Sequence, residues 1–137
     1  MAVKFQRSGM GGIDDYIPSQ AGVVRYAVQG KRASLNEYVT HLALDKLGIA
    51  HQFQYKIWGG IGTRGGVSVD FLTTVYGIPI EVLGERWHTG ALGADDQIRA
   101  HRIEGALGRK IIWLWGRETE EVDVAAGRIK ELYRAPI

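Results

Sequence analysis

From Ser34 onward the chain passes back and forth between the spacing of a buried helix face and the alternation of a strand, with glycines or capping residues at the changes. That punctuation leaves few architectures open. Ser34-Leu-Asn-Glu37 has the form of a capping box, in which the serine hydroxyl accepts a backbone N–H and Glu37 returns the bond. Leu35, Tyr38, Val39, Leu42 and Leu47 follow at helical spacing, and Gly48 ends the helix. Residues 51–58 alternate, with Phe53, Tyr55 and Ile57 on one face, which predicts a strand. After the glycine-rich connection Gly59–Gly66 come a second strand from Val67 to Val75, a tight turn at Tyr76-Gly77, and a third strand from Ile78 to Leu83. A loop over Gly84–Gly93 leads to a second helix opened by Asp95-Asp96, with Ile98, Ile103, Ala106 and Leu107 on its buried face and Gly108 at its end. Lys110–Trp115 is nearly continuous apolar sequence, as expected of a strand covered on both faces. Thr119 or Glu120 starts a last helix carrying Val122, Ala125, Ile129 and Leu132.

The order α-β-β-β-α-β-α implies an α/β (α+β) domain, a short mixed sheet with helices packed against it. We assign residues 34–137 to that domain and residues 1–33 to an N-terminal arm. The arm has no sustained period, holds Gly9, Gly11, Gly12, Gly22 and Gly30, and includes one short strand candidate over Ala21–Gln29. Such an arm packs on its own core, on a second copy or on a partner protein. At 137 residues the chain is long enough to bury a core without staples. The absence of cysteine excludes a disulfide framework, a thiolate zinc site and a cysteine nucleophile. No apolar run reaches the length of about 18 residues that spans a membrane, and Met1–Met10 lacks the apolar stretch of a signal peptide. A cytoplasmic location, or a virion for a phage-encoded chain, is therefore expected. Arginine outnumbers lysine, 11 to 6, which suits bidentate contact with phosphate, although the net charge is only +2.

The segment Val67–Leu83 carries the most chemistry. With Tyr76-Gly77 as a two-residue turn, Asp70 pairs with Leu83, and Glu81 lies opposite Leu72, one diagonal step from Asp70 on the same face. Diagonal side chains of this kind stand about 7–8 Å apart, within common reach of one small cation. Two acids so placed repel each other and lose hydration, a cost a divalent metal removes. The other reading makes them ordinary acids on a solvated face. Both are poor strand formers, and no cross-strand basic partner is evident from the sequence.

Further along, Val69-Asp70-Phe71 is followed by Ile80-Glu81-Val82-Leu83-Gly84-Glu85-Arg86-Trp87-His88, then by Asp96-Gln97-Ile98-Arg99 and Leu107-Gly108-Arg109-Lys110-Ile111-Ile112-Trp113. In order and spacing this resembles the PD-(D/E)XK nuclease superfamily, and most closely its very-short-patch-repair-type branch, over about residues 34–118. The resemblance implies a restriction-endonuclease-like αβββαβ core with a mixed four-stranded sheet flanked by helices. It implies metal-dependent cleavage of DNA phosphodiesters, with Asp70, Glu81 and the Val82 carbonyl holding Mg²⁺ (or Mn²⁺ in its place) and Glu37 arranging a metal-bound water. Where the superfamily carries lysine, this chain has Leu83. The resemblance then makes His88 and Arg86 the candidate substitutes, with Gln97 or Arg99 in reserve, and Arg86, Gln97 and Arg99 as DNA contacts; Arg64, at the tip of the Gly59–Gly66 loop, is a DNA contact where that loop reaches into a groove. Glu37 is equally accounted for by its cap. His41, one turn further along the same helix face, is within reach of the acids or is an ordinary structural histidine. Leu83 also keeps open a degenerate nuclease fold that serves as a DNA-binding or structural subunit of a larger assembly.

Overall fold

The computed structural model describes residues 16–18, 24–57, 66–84 and 93–134. In chain order its elements are strands β1 (Tyr16–Pro18), β2 (Val24–Val28) and β3 (Lys31–Ala33), helix α1 (Leu35–Lys46), strands β4 (His51–Ile57), β5 (Val67–Thr73) and β6 (Pro79–Val82), helix α2 (Ala94–Leu107), strand β7 (Ile112–Leu114) and helix α3 (Val122–Leu132). A 3-10 turn, Gly116–Thr119, separates β7 from α3, so the last helix starts later than its sequence pattern suggests. The larger sheet is four-stranded in the order β4-β5-β6-β7; the first two neighbouring pairs run antiparallel and β6-β7 runs parallel. The mixed α/β architecture expected from the sequence is therefore present. Among the described residues no helix is long and apolar enough to cross a membrane.

The expected capping box forms in full. Glu37 N–H donates to Ser34 Oγ at 3.1 Å and Ser34 N–H donates to Glu37 Oε1 at 2.8 Å. Ser34→Ala removes one half of this exchange and is expected to cost about 1 kcal/mol, read as a lowered thermal midpoint. The helix buries Tyr38, Val39, Leu42, Ala43 and Leu44, whereas Leu35, placed on the buried face by spacing, is exposed because it lies in the first turn. Asn36, also in that turn, donates to the Gly116 and Thr119 carbonyls and to the Thr119 hydroxyl, which ties the start of α1 to the chain leaving β7.

The hydrophobic interior lies on both faces of the sheet. One cluster joins α1 and α3 to Phe53, Phe71, Ile80, Ile112 and Leu114; the other joins Ile103 of α2 to Val69 and Ile111, with Tyr55, Ile57 and Trp113 against it. The strand before the 3-10 turn is thus covered on both faces, as its apolar run predicts. Helix α2 contributes less than its pattern suggests. Ile103 is its sole buried residue among those described, and Ile98, expected inside, is 61% exposed.

Two expectations about the strands need correction. Phe53, Tyr55 and Ile57 do not share one face: Phe53 enters the first cluster and the other two the second. The same division separates Phe71 from Val69 on β5. Between them, Gln54 adopts φ +55°, and Gln54–Asp70 is missing from an otherwise continuous ladder running His51↔Thr73 to Ile57↔Val67. The ribbon kinks there without changing register. The β5–β6 register also differs from the predicted one. Phe71 pairs with Ile80 and Leu72 with Pro79, because the connection is the four residues Thr74–Gly77 rather than the two of Tyr76-Gly77. Thr73 closes that loop: its N–H donates to the Ile78 carbonyl, and its hydroxyl accepts from Ile78 N–H at 2.9 Å. Val75, predicted as strand, is consequently exposed.

Part of the N-terminal segment packs on the chain's own interior. β2 and β3 pair antiparallel through Gln29-Gly30, both at positive φ, as a type I′ turn requires. Val28 and Ala33 join the first cluster, and Tyr26 stacks on Tyr38 with ring centroids 4.9 Å apart. Residue 33 therefore ends a strand but is not a packing boundary. The Gln29 side-chain amide spans two positions of β4, donating to the His51 carbonyl and accepting from Phe53 N–H, and Lys31 Nζ reaches the Phe53 carbonyl.

Candidate functional site

Where the β5–β6 ladder stops, two carboxylates take over its hydrogen bonds. Asp70 N–H donates to Glu81 Oε2 at 2.8 Å, and Val82 N–H donates to Asp70 Oδ2 at 2.8 Å. The observed register puts Asp70 directly opposite Glu81 instead of diagonal to it. The expected diagonal offset is thus replaced by direct opposition, and the two carboxyls are close enough for the charge of Glu81 to act on Asp70. The strands part at this point, and each acid is held by the backbone of its neighbour. The kink at Gln54 lies on the other side of Asp70, so β5 is distorted toward both of its neighbours at this residue.

The electrostatics differ between the two. Glu81 is 1% exposed and forms an ion pair with Arg99 of α2, whose guanidinium contacts both carboxylate oxygens and donates to the Ser68 carbonyl at 2.5 Å. Asp70 forms no ion pair among the described residues. Burial pushes its carboxyl up to about 7 from 3.8, with the charges of Glu81 and, further down, Glu37 acting in the same direction; the Val82 N–H and Arg99 oppose them. Glu37 is thus close enough for its charge to be felt at Asp70 while its Oε1 serves the cap.

Of the residues singled out from sequence, the fold brings together Asp70, Glu81, Glu37, Val82 and Arg99. Val82 enters through its N–H rather than as an evident carbonyl ligand. Arg99, expected as a DNA contact, is engaged with Glu81, which also corrects the expectation that neither acid has a basic partner. Gln97 is exposed on α2, and Leu83 is buried, its N–H bonded to the Leu114 carbonyl. His88, Arg86 and Arg64 lie outside the described residues. His41 turns from the acids toward His51, to which its ring nitrogen stands at 2.8 Å. His51 and Asp45, neither singled out from sequence, complete that group. Its signal was available only as two histidines ten positions apart across the glycine that ends α1.

A basic cleft runs between β7 and the end of α3, with a volume of about 660 Å³. Arg109, Lys110, Arg128 and Arg134 line it together with the half-buried indoles of Trp113 and Trp115. Arg128 is engaged with Glu118 and Glu131, whereas Lys110 is 93% exposed with Glu104 at 3.9 Å. No family model, curated protein or solved structure matches the chain.

Proposed function

We propose that this protein is a divalent-metal-dependent endodeoxyribonuclease with a restriction-endonuclease-like core, hydrolysing DNA phosphodiesters at the Asp70–Glu81 site. The observation that carries the reading is a half-buried carboxyl, Asp70, set against two further acids with no cation paired to it among the described residues. Left so, the charges raise the energy of the folded state, and a divalent ion relieves that cost. The donors are carboxylate oxygens, few in number, which fits Mg²⁺ or Mn²⁺ better than a softer metal. Asp70 and Glu81 hold the ion in this reading, and the ion must share Glu81 with Arg99. When bound, such an ion polarises a phosphoryl oxygen and makes a coordinated water more acidic. Arg99 pairs with Glu81, and the basic cleft by β7 carries arginines of the kind that contact phosphate.

Supercoiled plasmid incubated with the purified chain and Mg²⁺ or Mn²⁺ is expected to be nicked, and chelator is expected to stop the reaction. A second reading, a catalytically degenerate fold that binds DNA or builds an assembly, is favoured by two features: Arg99 already neutralises Glu81, and the neighbouring Leu83 supplies hydrocarbon where a catalytic cation would stand. Retained DNA binding with no nicking under either metal selects that alternative.

A further inference from the structure

The histidines of α1 and β4 form a second polar centre, distinct from the acids. His51 Nδ1 stands 2.8 Å from the Ile49 carbonyl, which can only accept, so His51 Nδ1 carries the hydrogen and its Nε2 is a bare lone pair. His41 Nε2 stands 3.3 Å from Asp45 Oδ2, an acceptor that favours the tautomer with its hydrogen on Nε2. What remains is His41 Nδ1 facing His51 Nε2 at 2.8 Å. With a hydrogen on each outer nitrogen, two lone pairs would face each other across that gap. A cation held between the two nitrogens would satisfy both lone pairs, as would a hydrogen on His41 Nδ1 donated to His51 Nε2.

We propose that this cation is a transition-metal ion of the zinc class, ligated by His41 Nδ1 and His51 Nε2. Each ligating ring would then donate its other N–H, one to a carboxylate and one to a backbone carbonyl, which is the outer arrangement that orients metal-binding histidines. Imidazole nitrogens select Zn²⁺, Ni²⁺ or Cu²⁺ over Mg²⁺, so the two centres of the molecule take different ions. Nitrogens bound at about 2.0–2.1 Å to one tetrahedral ion stand about 3.3 Å apart, so the rings need to part by roughly half an ångström. The site has room for that on one side. His41 is only 12% exposed, but Asp45 is 39% exposed and the group opens to water there, where solvent completes the coordination. The ion would clip the end of α1 to the start of β4 across the turn at Gly48. The inference does not depend on nuclease activity.

The test is calorimetric titration of the chelator-stripped full chain with zinc chloride. Uptake of one ion per chain is expected, with Asp45→Asn weakening it by about 10- to 100-fold and His51→Gln abolishing it. Asp70→Asn is expected to leave zinc uptake unchanged, which separates this centre from the acidic one. Histidine ¹⁵N spectra of the wild-type chain give a readout that needs no variant: zinc should move the His41 Nδ1 and His51 Nε2 resonances. No uptake by the folded wild-type chain, unmoved resonances, or uptake that survives His51→Gln would each overturn the proposal and leave a shared proton as the cation.

Discussion

Asp70→Asn is expected to abolish DNA cleavage and, in the same molecule, to stabilise the metal-free fold above neutral pH. On the first count, removing a charged group that acts on the transition state lowers rate on the order of a thousandfold. On the second, the sign follows from proton linkage. The Asp70 carboxyl titrates at about 7 in the folded chain, against 3.8 for an ordinary aspartate. Between those values the folded state keeps a proton that the unfolded state has released, so wild-type stability falls as pH rises through the window and levels off above it. Asparagine does not titrate, yet keeps an oxygen to accept the Val82 N–H. The two proteins should therefore have equal thermal midpoints near pH 4 and diverge toward pH 7, the variant leading by about 1–2 kcal/mol once partial exposure is allowed for. That difference amounts to roughly 3–8 °C. Added Mg²⁺ should raise the wild-type midpoint at pH 8 and leave that of the variant where it was. Parallel midpoint curves across pH 4–8.5 would remove the electrostatic argument for the site.

Arg99→Met is expected to have the largest effect on stability. It strips the cation from a carboxylate that is 1% exposed and already faces Asp70. Breaking a buried ion pair from one side costs about 3–5 kcal/mol, and the lower end applies because Arg99 is itself 31% exposed. Adding Glu81→Gln to this variant should recover much of the loss, since the uncompensated charge disappears with it. Millimolar Mn²⁺ should recover part of it in the single variant, with the metal standing in for the guanidinium. Urea unfolding of the wild type, both single variants and the double variant measures the coupling directly. A single variant within about 0.5 kcal/mol of wild type would mean that Arg99 is a surface contact without consequence.

The parts of this site that were legible in the sequence are those fixed by local rules. The capping box at Ser34–Glu37 is a matter of residues three apart, and the nearness of Asp70 and Glu81 follows from two neighbouring strands joined by a short turn. What was not legible depends on reach and packing. Nothing in the spacing shows that Thr73 closes a four-residue loop with its own hydroxyl, and that closure slides Asp70 from a diagonal position to one opposite Glu81. Nor does spacing show that Gln54 leaves the extended region, which splits Phe53 from Tyr55 and Phe71 from Val69. Sequence presents Arg99 only as a DNA contact or a substitute cation, because its partner lies eighteen residues back on a strand that only the tertiary fold brings near. Ile98 was placed inside by period alone, yet α2 is anchored to the sheet through Ile103 and leaves Ile98 in water.

The amide of Gln29 offers the outer edge of β4 a donor and an acceptor, at His51 and Phe53, where another strand would supply main-chain groups. A side chain thereby blocks the strand addition through which sheets recruit foreign chains. Shortening that residue is expected to free those main-chain groups for intermolecular pairing, read as increased light scattering of the variant.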